Sequence, residues 1–407
     1  MDPIVGLDIG TTKTCAVIGC LNDNNQVEII GVGVCPSNGM KNGVIINIDN
    51  TAASIEKAIE DAEMMAGCEV TSALVGISGS HIKGENSKGV VAIANRNRII
   101  SHLEVKRVIE AAQAVVIPVD REILHVLSRE FTVDDQSGIK DPIGMTGVRL
   151  EAEVHIVTGA ITNMQNIIKS VEKAGYHFQD MVFNPIASAE AVVSQDEKEL
   201  GVALVDIGGG TTDIVIYLEG GACYSSVLSL GGIHVTNDIS IGLRTPFESA
   251  EMIKNKYGCA VLDLVDASEM MEVPSVGGRP PRRLFRQELT QIIEPRVAEM
   301  MEMIDHELIK SGKKGMLAAG IVVTGGGSML DGCVEAAERV MNLPVRIGLP
   351  KDLAGLKDRV ATPQFSNGVG LLKYGIRIKT FKGGKSAMKQ RGPGVVNRIR
   401  KWINDYL

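Results

Sequence analysis

Apolar residues along the chain follow two spacings, one typical of strands and one typical of helices. Residues 4–33 contain short apolar runs on both sides of a glycine-rich break, and residues 202–230 repeat this arrangement. Such runs predict strands. Elsewhere apolar residues recur every three or four positions, which predicts helices that cover the strands. Because both element types alternate in both halves of the chain, we expect an α/β fold.

Two helices and one strand are predicted in the first half. The first helix covers 49–66, with Asp49 or Asn50 as its N-cap and Gly67 as its end. Its expected buried stripe is Ile55, Ile59, Ala62 and Met65. A strand follows over 70–78, and a second helix starts near residue 163 and stops at Gly175. The buried stripe of this second helix is Met164, Ile167, Ile168 and Val171.

Two segments interrupt the repeated pattern. Residues 84–160 read as a short strand, a helix and further strands, and we interpret them as an inserted subdomain. Its helix opens on Ser101 and Glu104, which have the spacing of a capping box, and runs to about residue 116. The later region 236–310 is helix-rich, and Pro and Gly predict an irregular loop over 273–283 within it.

Composition narrows the class of protein. The 407 residues are 44% hydrophobic and 22% charged, which predicts a soluble globular protein with two or more domains. No apolar run reaches the roughly 18 residues of a membrane span, and the start lacks the features of a secretory signal. The 7 cysteines are scattered and never spaced as C-x-x-C. We therefore expect a reducing cytoplasm, buried thiols and no structural zinc.

The two glycine-rich breaks have similar sequences. The first reads Asp8-Ile9-Gly10-Thr11-Thr12-Lys13, and the second Asp206-Ile207-Gly208-Gly209-Gly210-Thr211-Thr212-Asp213. Each predicts a β-hairpin whose tip exposes backbone N–H groups and hydroxyls, which can hold phosphate, although turn geometry alone also favours Gly and Asp. Asp8 or Asp206, at a strand end, can orient a hydrated Mg²⁺. Two copies imply a duplicated fold that holds one polyphosphate between its halves, with ATP as the leading ligand.

A third glycine-rich turn follows a predicted strand over 318–324. The order of two phosphate loops and then this turn resembles the actin-like ATPases, whose third loop contacts adenosine. That resemblance also places Glu251 and Lys254 beside the adenosine pocket, with a surface ion pair as the alternative. Lys13 can contact phosphate or project into solvent, and the sequence leaves both open. The expected nucleotide ligands are Asp8, Gly10, Thr11, Thr12, Lys13, Gly208, Gly209, Gly210, Thr211, Thr212, Asp213, Glu251, Lys254, Gly325, Gly326, Gly327 and Ser328.

ATP hydrolysis also needs a group that orients the attacking water. In actin-like ATPases this group is an acid or amide near the helix that follows the first half. Asn184 lies nearest to that place here, and Asp206 is the second catalytic candidate. An amide can orient a water but cannot accept its proton. We therefore expect turnover below the usual range of about 1 to 1000 per second, with ATP acting as a conformational ligand.

The C-terminal segment differs from the rest of the chain in charge. Residues 373–407 contain ten Lys or Arg and one acid, although the net charge of the chain is −7. Residues 379–394 predict a flexible basic linker, and 395–407 a basic amphipathic helix that binds anionic lipid. The residues expected at the membrane are Val395, Val396, Arg398, Ile399, Arg400, Lys401, Trp402, Ile403, Tyr406 and Leu407. A terminal helix that packs on the body of the protein is the alternative.

Together these features resemble the FtsA family of bacterial cell-division proteins, which are homologues of actin. The resemblance covers the whole chain and rests on the three loops, the insert, the terminal helix, and Pro280-Pro281-Arg282-Arg283-Leu284-Phe285-Arg286. It implies an actin-like α/β fold, that is, a duplicated ribonuclease-H-like two-domain ATPase fold with an inserted α/β subdomain and a C-terminal amphipathic helix. The implied domains are 1A (1–83 and 161–192), 1C (84–160), 2A (193–235 and 311–378), 2B (236–310), the linker 379–394 and the helix 395–407.

The resemblance also implies a function. A member of this family tethers the tubulin-like FtsZ ring to the cytoplasmic face of the inner membrane at the division septum. It recruits later division proteins through the inserted subdomain and forms filaments with ATP and Mg²⁺. The acidic, apolar FtsZ tail would bind 2B, where Arg282 and Arg296 are candidate contacts because arginine pairs well with carboxylates. Exposed arginines on a solvated surface are the alternative, and no nucleic acid partner is expected.

Two other functions share both phosphate loops. A small-molecule kinase of the same superfamily needs a polar substrate pocket and a catalytic base between the halves, and a basic terminal helix has no role in it. A PilM-type scaffold of pilus assembly is also actin-like but lacks a terminal membrane helix. The sequence leaves both as alternatives.

Overall fold

The computed structural model describes residues 3–277 and 279–383. Its helices are α1 (Ile48–Ala66), α2 (His102–Ala112), α3 (Ile161–Lys173), α4 (Asn184–Val192), α5 (Gln195–Leu200), α6 (Gly232–Gly242), α7 (Phe247–Tyr257), α8 (Arg286–Lys310), α9 (Cys333–Met341) and α10 (Ser366–Gly383). Its strands are β1 (Ile4–Ile9), β2 (Lys13–Leu21), β3 (Val27–Pro36), β4 (Met40–Lys41), β5 (Val44–Ile45), β6 (Ser72–Ile77), β7 (Lys83–Ala92), β8 (Arg121–Val133), β9 (Gln136–Ile139), β10 (Arg149–Ala160), β11 (His177–Phe183), β12 (Val202–Ile207), β13 (Thr212–Leu218), β14 (Gly221–Leu228), β15 (Met270–Val273), β16 (Arg282–Phe285), β17 (Ile321–Thr324), β18 (Val345–Ile347) and β19 (Leu353–Gly355).

Two sheets have the same internal order. The first runs β11-β6-β1-β2-β3-β19, and the second runs β14-β13-β12-β17-β18. In each, three consecutive antiparallel strands are extended by two parallel ones, β6 and β11 or β17 and β18. Every residue of β1 and β12 is buried, as their continuous apolar sequences predict for strands covered on both faces. The duplicated α/β architecture is therefore confirmed.

The predicted insert forms a sheet and a core of its own. Its strands are antiparallel in the order β7-β10-β8-β9, and the core residues of α2 pack on them. The capping box of α2 joins Ser101 and Glu104 as predicted. The helix ends at Ala112, earlier than predicted: Val115 still packs partly on the core, but Val116 is 98% exposed. Pro118 follows closely and also disfavours helix before it.

Helix α1 differs from its prediction at two positions. Its N-cap is Asn47, whose side chain accepts from the Asn50 N–H, so the predicted caps lie within the helix. Gly67 ends it as predicted, at a φ of 66°. The predicted stripe is buried except for Met65, which is 42% exposed because Ala66 is the residue of that turn that faces β3. In α3 the predicted stripe is buried, with one residue, Ile168, only partly so.

Helices α6, α7 and α8 pack on the second sheet and share its core. The predicted irregular loop over 273–283 is shorter than expected, because its ends belong to strands. Val273 pairs with Arg282 in a β15–β16 hairpin that leads directly into α8.

Two helices, α4 and α10, cross at the junction of the halves. Their backbones approach so closely that a Cβ on Gly370 would overlap the Ala187 carbonyl, so this position requires glycine. Helix α10 packs on β1, β2 and β6, and β19 pairs with β3. The structure thus places the end of the predicted 2A segment on the first sheet, because the chain crosses back, which its order in sequence does not reveal.

Helix α10 continues to Gly383 and so includes the first five residues of the predicted linker. The rest of that linker and the predicted terminal helix lie outside the described residues. Within residues 3–277 and 279–383, none of the helices has both the length and the apolar character that crossing a membrane requires. All 7 cysteines are free, four of them buried.

Candidate functional site

The two glycine-rich breaks form hairpin tips of equal length. Each tip has four residues between the last paired positions of its strands. In the first tip the Gly10 N–H donates to the Lys13 carbonyl at 2.9 Å, and in the second the Gly208 N–H donates to the Thr211 carbonyl at 2.8 Å. The same bond at the same place means that the two backbones match position for position.

This match corrects the correspondence that the sequence suggests. The repeated threonines favour an alignment of Thr11-Thr12 with Thr211-Thr212 and a gap in the first motif. The structure has no gap, so Thr11-Thr12 corresponds to Gly209-Gly210, and Lys13 corresponds to Thr211. The shared Thr-Thr sequence is therefore two positions out of structural register.

The two tips meet across the cleft between the halves. A Cβ added to Gly209 would lie 2.6 Å from Thr12 Cγ2, and one added to Gly210 would lie 2.7 Å from Thr11 Oγ1. Both distances are too short for real contacts, so the glycines of the second tip make room for the threonines of the first. The two tips together therefore form one wall of the cleft.

A cavity of about 450 Å³ lies between the halves at these tips. This volume falls in the range of roughly 300–1000 Å³ that is typical of small-molecule sites. Of the residues predicted from sequence, its walls contain Asp8, Gly10, Thr11, Thr12, Lys13, Asn184, Asp206, Gly208, Gly209, Thr211, Asp213, Glu251, Lys254, Gly325, Gly326 and Gly327. The structure therefore brings most of the candidates from both halves into one space.

Three predicted nucleotide ligands are not among the lining residues. The Thr212 hydroxyl is buried and donates to the Leu230 carbonyl at 2.8 Å, and the Ser328 hydroxyl donates to the Gly325 carbonyl at 2.8 Å. Both hydroxyls stabilise the local chain. Gly210 faces Thr11 of the first tip instead of the cavity.

Three carboxylates, Asp8, Asp206 and Asp213, are buried against the cavity. Ser188 Oγ donates to Asp206 Oδ2 at 2.6 Å, and Ser78, which follows β6, donates to Asp213 Oδ1. Burial raises the pKa of all three carboxyl groups, that of Asp206 to about 6, and the nearby charge of Asp206 further raises the pKa of Asp213. Because their charged forms are disfavoured without a counter-ion, these groups favour a cation beside them.

The donors present fit a magnesium ion that keeps its water. Mg²⁺ prefers oxygen ligands and usually retains several waters. Among the described residues, no group of three or more His, Cys, Asp or Glu side chains is arranged to ligate a metal ion directly. Asp8 and Asp206 are therefore suited to accept hydrogen bonds from metal-bound water, and this role stays a prediction.

The Lys13 side chain enters the cavity and does not project into solvent. Its Nζ donates to the Gln364 carbonyl and lies 4.5 Å from the centroid of the Phe365 ring, within a 3₁₀ turn over Pro363–Phe365. A phosphate in the cavity would offer this ammonium a charge-assisted hydrogen bond, which is stronger than one to a carbonyl.

Gly325 brings the third loop against the second hairpin. Its φ is +83°, and a Cβ there would overlap Asp206 Oδ1 and lie 2.5 Å from the Ile207 carbonyl oxygen. Only glycine permits both this backbone conformation and this approach. The third loop and Asp206 therefore form one continuous wall.

Helices α7 and α8 complete the cavity. Lys254 Nζ pairs with Glu251 Oε2 at 2.7 Å and donates to Thr236 Oγ1 at 2.9 Å. The Lys254 side chain is only 14% exposed, so this is not a solvated surface pair. Beside it lie apolar side chains that suit a flat aromatic ring: Val235, Val297, Met300, Met301, Met329 and Leu330. The sequence did not single these out, because their helical spacing reads as ordinary core.

Asn184 lines the cavity at the start of α4, immediately before Pro185. Its Oδ1 is buried and has no hydrogen-bond partner. A second asparagine, Asn367 of α10, also lines the cavity and was not predicted, since a lone asparagine at a helix start reads as a cap. Orientation of an attacking water by Asn184 stays a prediction.

The two arginines predicted to contact a partner are not among the cavity-lining residues. Arg296 of α8 pairs with Asp238 of α6, with 3.2 Å between Nη2 and Oδ1, and also with Glu299. Arg282 of β16 donates to the Leu243 carbonyl at the end of α6. Both arginines therefore also stabilise the helical subdomain. The ten residues predicted to contact the membrane lie outside the described residues.

Sequence models of known families match two parts of the chain. The model described as cell division protein FtsA matches residues 203–370, and that of the SHS2 domain inserted in FTSA matches residues 79–158. FtsA of Pseudomonas aeruginosa is 46% identical over 406 residues, which cover 98% of this chain and 97% of that protein. FtsA of Neisseria meningitidis is 43% identical over 404 residues, which cover 98% of this chain and 97% of that protein.

Solved structures share the fold at low sequence identity. A PilM–PilN type IV pilus biogenesis complex matches with a TM-score of 0.67 and 15% identity, over 92% of this chain and 98% of that chain. MreB5 of Spiroplasma citri bound to ADP matches with a TM-score of 0.56 and 15% identity, over 95% of this chain and 99% of that chain. The predicted actin-like fold is therefore confirmed.

Proposed function

The chain belongs to the FtsA family of cell-division proteins, and from this premise we propose that it binds ATP with Mg²⁺ and tethers the FtsZ ring to the inner membrane. The observation that carries the nucleotide part is the meeting of two equivalent hairpin tips over one cavity. Sequence identity of 43% and 46% to two FtsA proteins extends over 98% of this chain. This favours the FtsA function over a pilus scaffold or a metabolite kinase.

The cavity supplies a partner for each part of the nucleotide. Backbone N–H groups at both tips and the Lys13 ammonium bind the phosphates. When bound, Mg²⁺ neutralises part of the phosphate charge, and the carboxylates of Asp8 and Asp206 accept hydrogen bonds from its water. The apolar side chains of α8 contact the base, and Glu251 and Lys254 bind the ribose. The ADP complex of MreB5 supports nucleotide binding in general, because that protein has the same fold.

Hydrolysis is expected to be slow. Asn184 lines the cavity, and its amide would orient a water there, but an amide is too weak a base to take up the proton of that water. ATP therefore acts mainly as a ligand that sets the relation between the halves. Because both tips contact the same polyphosphate, binding favours the conformation in which the tips are together, and that conformation forms the filament.

We place the FtsZ tail on the helical subdomain, at the β15–β16 hairpin. Met270 and Phe285 are paired in register and are 49% and 47% exposed, and Arg282 lies at the other end of the same strand. An acidic, apolar peptide matches two apolar side chains beside a cation. In this proposal the inserted subdomain binds later division proteins.

The membrane contact belongs to the C-terminal residues 395–407. Their sequence has the basic and apolar faces of an interfacial helix, with Trp402 on the apolar face. Each cation near an anionic surface contributes about 1 kcal/mol, and a short isolated helix is only marginally stable in water. A single copy therefore binds reversibly, and several copies on one filament bind firmly.

Flotation with anionic liposomes, ATP, Mg²⁺ and FtsZ tests the proposal. The intact chain is compared with Trp402→Glu and with a truncation after Gly392. Of these three, we expect only the intact chain to float and to carry FtsZ with it. Arg282→Glu should lose FtsZ while it still floats, so that its own flotation controls for folding. Flotation of all variants, or of none, would contradict the tether.

A further inference from the structure

Asn367 holds one of the two aspartates proposed to face the cation. It is the second residue of α10, is 6% exposed and lines the cavity. Its Nδ2 donates to Asp8 Oδ1 at 2.8 Å. An ionised carboxylate can only accept hydrogen bonds, so the amide must turn its nitrogen toward Asp8. The amide oxygen therefore points elsewhere.

That oxygen has no partner in the protein. Asn367 Oδ1 is buried and accepts no hydrogen bond from any described residue. Buried polar atoms are nearly always paired, and an unpaired one needs an explanation. Since the residue lines the cavity, a donor that arrives with the ligand would satisfy this oxygen.

A second unpaired amide oxygen belongs to the neighbouring Asn184. A Cβ added to Gly76 of β6 would be 2.5 Å from Asn184 Oδ1 and 3.0 Å from Asn367 Nδ2, so both amides border the same glycine. Asn184 Oδ1 is also buried without a partner. Two unsatisfied acceptors on neighbouring amides, one of which holds Asp8, are an arrangement that water molecules, each with two donors, can complete.

The second hairpin has no equivalent of this oxygen. Its aspartate, Asp206, is held by the Ser188 hydroxyl of the other crossing helix, α4. Each crossing helix thus holds one aspartate. The serine hydroxyl has its donor and its acceptor on one oxygen atom. The Asn367 amide instead donates from its nitrogen and keeps a separate oxygen as an acceptor. Only the first aspartate is therefore held by a group with an additional oxygen.

We propose that Asn367 is a positioning residue for the hydrated cation. Its Nδ2 fixes the Asp8 carboxylate, and its Oδ1 accepts a hydrogen bond from a water on the ion. This inference rests on the proposed nucleotide function and extends it, since it distinguishes the two aspartates. A purely structural role for Asn367 would need only the bond to Asp8 and would leave Oδ1 unexplained.

The test measures the binding of a fluorescent ATP analogue to the full chain, once in EDTA and once in a Mg²⁺ titration. Partners of this kind typically change metal affinity by about 10–100-fold. We expect Asn367→Ala to raise the Mg²⁺ concentration at half-effect by about tenfold, with little change of the affinity in EDTA. Ser366→Ala is the matched control, because it removes a buried 2.7 Å bond to Thr324 at the same helix start without contact to Asp8. It should leave the Mg²⁺ titration unchanged.

The outcomes separate the two proposals. If the unmodified chain does not bind the analogue, the nucleotide function itself fails. If it binds but Asn367→Ala leaves the Mg²⁺ titration unchanged, or weakens binding equally in EDTA, the positioning role is overturned. Asn367→Ser replaces the amide with a hydroxyl, as in Ser188, and is the variant to measure if Asn367→Ala does not fold. It should also require more Mg²⁺ than the unmodified chain, and an unchanged titration would again overturn the role.

Discussion

The two hairpins that meet at the cavity have matching backbones and different side chains. Lys13 in the first occupies the position of Thr211 in the second, and Cys15 in the first occupies that of Asp213. The first hairpin therefore brings a positive charge to the cavity, and the second brings an additional carboxylate. The two tips thus share a backbone that is suited to an anion, and they differ in the charges that single positions bring to the cavity.

The difference between Cys15 and Asp213 also affects stability. Burial raises the pKa of the Cys15 thiol to about 12, so it stays neutral at any physiological pH. Burial and the charge of Asp206 raise the pKa of Asp213 well above its ordinary value. A carboxyl group that resists ionisation destabilises the folded state at neutral pH, and at the equivalent position the first hairpin has the neutral Cys15 instead.

The largest expected effect separates Lys13 from its counterpart. Lys13→Ala should weaken ATP binding by about a hundredfold, because hydrogen bonds to charged groups contribute roughly 1.5–3 kcal/mol each. Thr211→Ala removes only a neutral hydroxyl and should weaken it by less than about tenfold. Fluorescence titration with ATP and with adenosine measures both. The two hairpins would not differ as described if both variants lost the same affinity for ATP. The same conclusion would follow if Lys13→Ala weakened the binding of adenosine as much as that of ATP.

A smaller effect tests the contact between the tips. Gly209→Ala should weaken ATP binding by about tenfold, because its Cβ meets the Thr12 side chain and overpacking typically costs about 1–3 kcal/mol. Thr12→Ala shortens the opposing side chain. The double variant should recover most of the affinity, and failure of this rescue would argue against tip-to-tip contact.

The smallest effect concerns pH and the ligand-free protein. With its pKa raised, Asp213 holds a proton in the folded state at pH values where the unfolded chain has lost it. Its contribution to stability is therefore present below its ordinary pKa of 3.8 and is lost as pH rises through the raised value. Asp213→Asn should melt several degrees higher than the unmodified chain at pH 7, with little difference at pH 4. Thermal melts across this range measure it.

Cys15→Ala is the matched control for this pH dependence. Its thiol is neutral in both the folded and unfolded states below about pH 8. Its loss should lower the melting temperature through a small cavity and leave the dependence on pH unchanged. The pH dependence of the melting temperature is assigned here to Asp213. An altered pH dependence in Cys15→Ala, or an unaltered one in Asp213→Asn, would contradict this assignment.

Local signals in the sequence predicted local structure well. The hairpin breaks, the capping box of Ser101 and Glu104, and the end of α1 at Gly67 depend on residues close in the chain, and the structure confirms each. Three features depend on distant contacts and were missed. These are the register of the two Thr-Thr pairs, the exposure of Met65, and the arrival of Asn367 at Asp8 from the end of the chain.

We propose that one nucleoside triphosphate binds between the two hairpins with Mg²⁺. Isothermal titration calorimetry of the full chain with ATP and Mg²⁺, with ATP in EDTA, and with adenosine tests it directly. We expect one site per chain, with the highest affinity for ATP with Mg²⁺, a lower affinity in EDTA and the lowest for adenosine. Absence of binding, or equal affinity for adenosine and ATP, would contradict it.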